Sequence, residues 1–169
     1  MFKTYSGALL AVGALLITGS RIITDIYLGE DYYDSWHYVP ILVIATTFSN
    51  LVNFYASVYM AEKKSMLSMM TAGTGAVINV VMNAILIPVM GPYGAAIATA
   101  ASFIVVFIIR VLNTKKFVNI KINYLTFIPS VALLFAAAAV MIFEVAGEWG
   151  SFGIAAALSV LVILLNIRS

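Results

Sequence analysis

Apolar residues run in six long blocks along the chain, at about 6–29, 38–61, 66–88, 93–112, 124–143 and 150–167, and polar residues gather between them. A helix needs roughly 17–25 predominantly apolar residues to cross a bilayer, and each block meets that length. The pattern predicts an all-α fold: a polytopic bundle of six transmembrane helices joined by short loops. The stretch 75–110 shows the design most clearly. Its first block carries Asn79 and Asn83 and is expected to close at Pro88. The second leaves a tight Gly91-Pro92-Tyr93-Gly94 turn and opens on small residues over 94–101, which suit close packing through a small-residue face.

The opening block has a basic start and an apolar core, as a secretory signal does. No Ala-x-Ala cleavage pattern follows, and apolar character resumes at Ile22-Ile23, so a retained span is expected. Composition agrees with lipid as the solvent. The chain is 63% hydrophobic and 9% charged, with a mean hydropathy of +1.07. A soluble domain carries about 25% charged residues. Cysteine is absent, which excludes a disulfide framework and any thiolate metal or redox site.

The net charge of +2 matters less than where the charges fall. Lys3, Lys63, Lys64, Arg110, Lys115, Lys116, Lys121 and Arg168 gather at one set of block ends. Glu30, Asp31, Asp34, Glu144 and Glu148 occupy the other set. Orientation follows the Lys/Arg bias of short loops, so both termini are expected in the cytoplasm. Tyr32, Tyr33, Trp36, Tyr38, Tyr93 and Trp149 flank the outer turns, where amphipathic rings anchor at the headgroups. The segment 113–124 mixes lysines with Phe117, Val118, Ile120 and Ile122. It suits an interfacial stretch on an anionic leaflet, or a plain positive-inside loop.

Polar groups inside the apolar blocks are the candidate chemistry. Arg21 and Asp25 stand four residues apart on one helix face and can pair. A span that began at Tyr5 and stopped before Arg21 would be too short to cross, so both fall within the first span. Arg21 either lines a polar cavity and meets an anionic group, or snorkels to the outer headgroups with Asp25 as its partner. The amides come in pairs, Asn50 with Asn53 and Asn79 with Asn83, each on one helical face. They serve either as interhelical hydrogen bonds or as substrate contacts.

Catalytic constellations are missing from the sequence. His37 is the lone histidine, no Gly-x-Ser-x-Gly occurs, and no glycine-rich phosphate loop precedes a helix. An enzyme, a metal site, a cofactor and a nucleic-acid partner are therefore not expected.

At Gly29-Glu30-Asp31-Tyr32-Tyr33-Asp34-Ser35-Trp36, followed by Tyr38-Val39-Pro40-Ile41-Leu42, the chain resembles the carboxy-terminal part of bacterial polysaccharide flippases. The same resemblance returns at Ile78-Asn79-Val80-Val81-Met82-Asn83-Ala84-Ile85-Leu86-Ile87-Pro88 with Gly91 and Gly94-Ala95-Ala96-Ile97-Ala98-Thr99. These flippases are the O-antigen and capsule exporters of the multidrug/oligosaccharidyl-lipid/polysaccharide superfamily. The resemblance covers 1–122, four spans and a cytoplasmic loop. Residues 123–169, two further spans, match only as hydrophobic helices.

Family members are built as two lobes of roughly six spans related by an internal repeat, and they work by alternating access. No repeat of the 1–112 pattern occurs here, so the resemblance implies the last six spans of a longer transporter. It also implies a function: moving an oligosaccharide carried on a polyprenyl diphosphate across the bacterial cytoplasmic (inner) membrane. The partners implied are that lipid-linked oligosaccharide, membrane lipid, and a missing amino-terminal lobe or other polysaccharide-assembly proteins. On this reading Arg21, beside Asp25, meets the diphosphate, and Asn50, Asn53, Asn79 and Asn83 bond sugar hydroxyls. Two alternatives stand. A multidrug/cation antiporter half would want buried carboxylates, and Asp25 is the lone intramembrane acid. A non-transporting membrane assembly subunit would use the same small-residue and amide faces to bind another protein.

Overall fold

The protein is seen here in a computed structural model that describes residues 2–27, 37–118, 120, 122–145 and 147–167, apart from the side chains of 25–27 and 148. Six helices follow one another: α1 (Phe2–Tyr27), α2 (Val39–Ala61), α3 (Ser65–Met90), α4 (Pro92–Thr114), α5 (Tyr124–Phe143) and α6 (Gly147–Ile167). All six are long and apolar enough to cross a membrane. The shortest, α5, has 20 residues, or about 30 Å of helix, which matches the hydrocarbon core. Among the described residues no strand forms, and Val145 and Gly147 make an isolated bridge. The architecture is that of a multi-pass membrane protein. The acidic, aromatic stretch 29–36, which carries the first part of the flippase resemblance, lies outside the described residues, as does Arg168.

The helices pack as two compact units, one of residues 1–44 and 121–169, the other of 45–120. In the first, α1, α5 and α6 bury Leu10, Ile17, Leu134, Met141 and Val162 against one another. Lipid tails are as apolar as these side chains, so helix association here draws on close packing and polar contacts. The structure supplies both. Gly7 lets α6 come so near that an added Cβ would stand 2.8 Å from Asn166 Oδ1. Asn166 Nδ2 donates to Ser130 Oγ on α5 at 3.0 Å. Deeper in the unit, Thr18 Oγ1 and Ser159 Oγ are 2.8 Å apart, and both reach the Ala14 carbonyl, at 3.0 and 2.9 Å. Ser159→Ala should therefore lower stability by only about 1 kcal/mol, the scale of an interhelical bond in a membrane. Denaturant titration of the detergent-solubilised protein measures it.

The second unit holds α2 from Ala45 onward, α3 and α4. Phe107 of α4 meets Phe48 and Tyr55 of α2 edge-on, with centroids 5.6 and 5.8 Å apart. α3 and α4 form a hairpin whose non-helical link is Gly91 alone, with φ +56 in the left-handed region. Glycine enters that region without a Cβ clash, and Pro92 at the first helical position is preset for the next helix. One expectation is corrected here: α3 does not close at Pro88 but runs through it to Met90. A proline so near the end of the helix forfeits one hydrogen bond, and the Gly91 N–H bonding Ile87 O at 2.8 Å completes the last turn.

The two arms of this hairpin have opposite environments. On α3 only Thr71 and Gly75 are buried, while Met69, Val77, Val80, Val81 and Ile85 are exposed. That apolar surface needs lipid as its solvent. On α4 no residue over 93–107 is exposed. The small residues of its first half let the helix bury far more of itself than α3 does.

Candidate functional site

A cleft of about 550 Å³ opens within the second unit, among the C-terminal half of α2, α3 and α4. Small-molecule sites run from roughly 300 to 1,000 Å³, so it is large enough to hold a ligand group. Ala72 and Ala76 of α3 help create the space, because side chains of that size leave it unfilled. Polar side chains then line it: Asn53 on α2, Ser68 and Asn79 on α3, and Thr99, Ser102 and Arg110 on α4. On α4 those positions recur at helical spacing and so share a face.

Arg110 dominates the cleft electrostatically. It is 2% exposed, four residues before the end of a membrane-spanning helix. An arginine this close to the interface usually extends its guanidinium toward the headgroups. This one turns inward. Its Nε donates to Thr71 Oγ1 at 3.0 Å, and Nη1 donates to the Val52 carbonyl at 2.7 Å. Nη2 reaches Ser68 O at 3.1 Å and Ser68 Oγ at 3.4 Å. The guanidinium carbon also sits 5.6 Å from the Tyr59 ring centre, within cation–π range. Every one of these partners is neutral. The fork clasps α2, α3 and α4 together, and among the described residues no carboxylate pairs with its positive charge beside the cleft.

Farther along the cleft, Asn79 joins α3 to α4. Its Nδ2 donates to Ser102 Oγ at 3.1 Å and stands 3.5 Å from Thr99 Oγ1. Those hydroxyls in turn bond the Ala98 and Ala95 carbonyls one turn earlier. Asn83 Nδ2 donates to Asn79 Oδ1 at 2.9 Å. Asn83 Oδ1 is buried with no hydrogen-bond partner among the described residues, so an acceptor stands open beside this network.

The six residues singled out in the sequence separate on this geometry. Asn53 and Asn79 line the cleft, and Asn83 sits one turn beyond Asn79. Asn50 is exposed and donates to the Thr46 carbonyl of its own helix at 2.9 Å, outside the cleft lining. Arg21 belongs to the other unit, where it is half-buried and 3.8 Å from Glu144. A pair as open as this adds little stability. The side chain of Asp25 lies outside the described residues. Arg110, Ser68, Thr71, Thr99 and Ser102 come to the site from the structure alone. Arg110 counts in the sequence as one more cation at a cytoplasmic end, and linear spacing does not reveal which way it turns. The hydroxyls at helical offsets on α3 and α4 are the signal that points to it.

Compared with known proteins, the chain matches no protein family, no curated protein and no solved structure.

Proposed function

We infer that the chain is the carboxy-terminal part of a polysaccharide flippase in the bacterial cytoplasmic membrane, with both termini in the cytoplasm. In that role it helps carry a polyprenyl-diphosphate-linked oligosaccharide across the bilayer. The observation that carries this reading is Arg110: a buried arginine whose partners among the described residues are all neutral, on the wall of a polar cleft. A charge buried in a span is costly, up to roughly 2.5–3.5 kcal/mol at its centre, so such residues mark substrate or ion paths more often than structural joints. A diphosphate supplies the missing counter-charge and several acceptors at once. Asn53 and Asn79 offer hydroxyl-binding groups along the same wall, and Asn83 backs Asn79 from one turn beyond. The cleft holds the head of such a lipid, and a partner lobe would supply the opposite wall.

The antiporter alternative finds less support, because the described residues lining the cleft include no carboxylate to carry a proton or sodium ion. The test is surface polysaccharide in a flippase-deficient strain. The chain co-expressed with a matching amino-terminal half should restore it, and the chain alone should not. Failure of the pair, with membrane insertion of both halves verified, removes the transport reading and favours the assembly subunit.

A further inference from the structure

Beyond the cleft, one end of the second unit gathers four lysines from two distant parts of the chain. Lys63 and Lys64 form the turn between α2 and α3, and Lys115 and Lys116 follow α4. Phe117 brings the two segments together. The Lys64 ammonium sits 4.0 Å from the centre of its ring, and Tyr59, fully buried, packs on the same ring at 5.6 Å. The backbone holds both arms in place. Lys64 N–H bonds Tyr59 O at 2.8 Å, and the Phe117 and Val118 N–H groups bond Thr114 O at 3.1 and 2.9 Å.

Two features separate this cluster from a scatter of surface charge. Lys63 has φ +55, a left-handed position that favours glycine or asparagine, yet a lysine stands there, exposed. Four lysines also face one carboxylate in these segments, that of Glu62. Depth decides what they meet. α2 ends at Ala61, α3 begins at Ser65 and α4 ends at Thr114, so both arms emerge where membrane-spanning helices run out. That is the level of the phosphates, and half-buried Phe117 suits the boundary between headgroup and acyl chain.

We propose that the Lys63–Lys64 turn and the Lys115–Lys116 arm, joined through Phe117, form a single two-armed site for an anionic phospholipid headgroup. The ammonium groups supply charge and hydrogen-bond donors to the phosphate, and the Phe117 ring meets the upper acyl chain. This site is separate from the Arg110 cleft and does not depend on transport.

Native mass spectrometry of the full chain in detergent, with equimolar phosphatidylglycerol and phosphatidylcholine, provides the test. The unmodified chain should retain phosphatidylglycerol preferentially. K63Q/K64Q and K115Q/K116Q should each weaken that preference about 25-fold, since each of the two lysines removed contributes about a fivefold factor at an anionic surface. The quadruple variant should fall little further than either double, because one headgroup shared by two arms is lost with either arm. Phe117→Leu, which keeps all four charges, should also weaken the preference. Additive losses from the two doubles mean independent surface charges and overturn the proposal, as does an unchanged preference in either double. Displacement of the lipid by millimolar inorganic phosphate would overturn the assignment to a lipid. Circular dichroism of each variant checks that the helices remain.

Discussion

Arg110→Leu should abolish export in the paired flippase assay, by at least about tenfold, while leaving the protein inserted and folded. Two opposing terms set the stability. Removing the charge recovers part of the roughly 2.5–3.5 kcal/mol that an arginine costs at the centre of a span, since Arg110 stands four residues from the helix end. Losing the donors to Thr71 Oγ1, Val52 O and Ser68 gives back a similar amount, at about 0.6–1.7 kcal/mol for each bond in a membrane. The sum is near zero, as for other buried charges replaced by apolar groups. Arg110→Lys should be the less stable of the two, by about 2 kcal/mol. An ammonium keeps the charge, but its donors radiate from one atom and do not span acceptors on α2 and α3 as the planar fork does. Polysaccharide export and denaturant titration, run side by side, read both quantities. Normal export from a folded Leu variant would leave Arg110 as a clasp between helices and remove the cation from the transport reading. A Leu variant that unfolds would mean that the clasp outweighs the charge.

The helices were legible because hydropathy over 20 residues is a strong one-dimensional signal: a block long enough to cross has few alternatives in lipid. Their enclosure was legible only in part. Gly94, Ala96, Ala98 and Ala100 announce close packing, but that α4 is buried along much of its length while α3 buries only Thr71 and Gly75 depends on the neighbours. Pro88 misled about the end of α3, because a proline in the last turn forfeits little and Gly91 is the residue that turns the chain. The candidate site was half visible. Asn53, Asn79 and Asn83 stand out as amides inside apolar runs, and the structure gathers them along one wall or next to it. Arg110 was hidden by its position, since a cation near a helix end marks topology unless something inside the bundle accepts its hydrogen bonds. Here Thr71, Ser68 and a helical carbonyl do, and no linear pattern of charge records that.

Gly94→Ala should destabilise the protein more than Gly75→Ala or Gly73→Ala in the second unit, by about 3 kcal/mol. The added methyl would overlap the carbonyl carbon and oxygen of Leu86 on α3 and stand 3.0 Å from Ile87 N. Backbone cannot swing aside as a side chain does, and α3 and α4 are joined through Gly91 alone a few residues away. The hairpin must open or the helix must shift, and overpacking of this kind costs about 1–3 kcal/mol or more. Gly75→Ala meets the side chain of Val106 at 2.5 Å, which can yield in part, so its cost should be intermediate. Gly73→Ala meets nothing within 4 Å and, in a helix interior, should be neutral or stabilising by about 0.5–1 kcal/mol. The order Gly94, Gly75, Gly73 is therefore fixed by what each Cβ would touch, and denaturant titration of the three variants reads it directly. The same order should hold for export, because opening the hairpin separates Asn79 on α3 from Ser102 on α4 and with them the wall of the cleft. A Gly94 variant as stable as the Gly73 variant would mean that α3 and α4 do not approach as closely as their small residues allow.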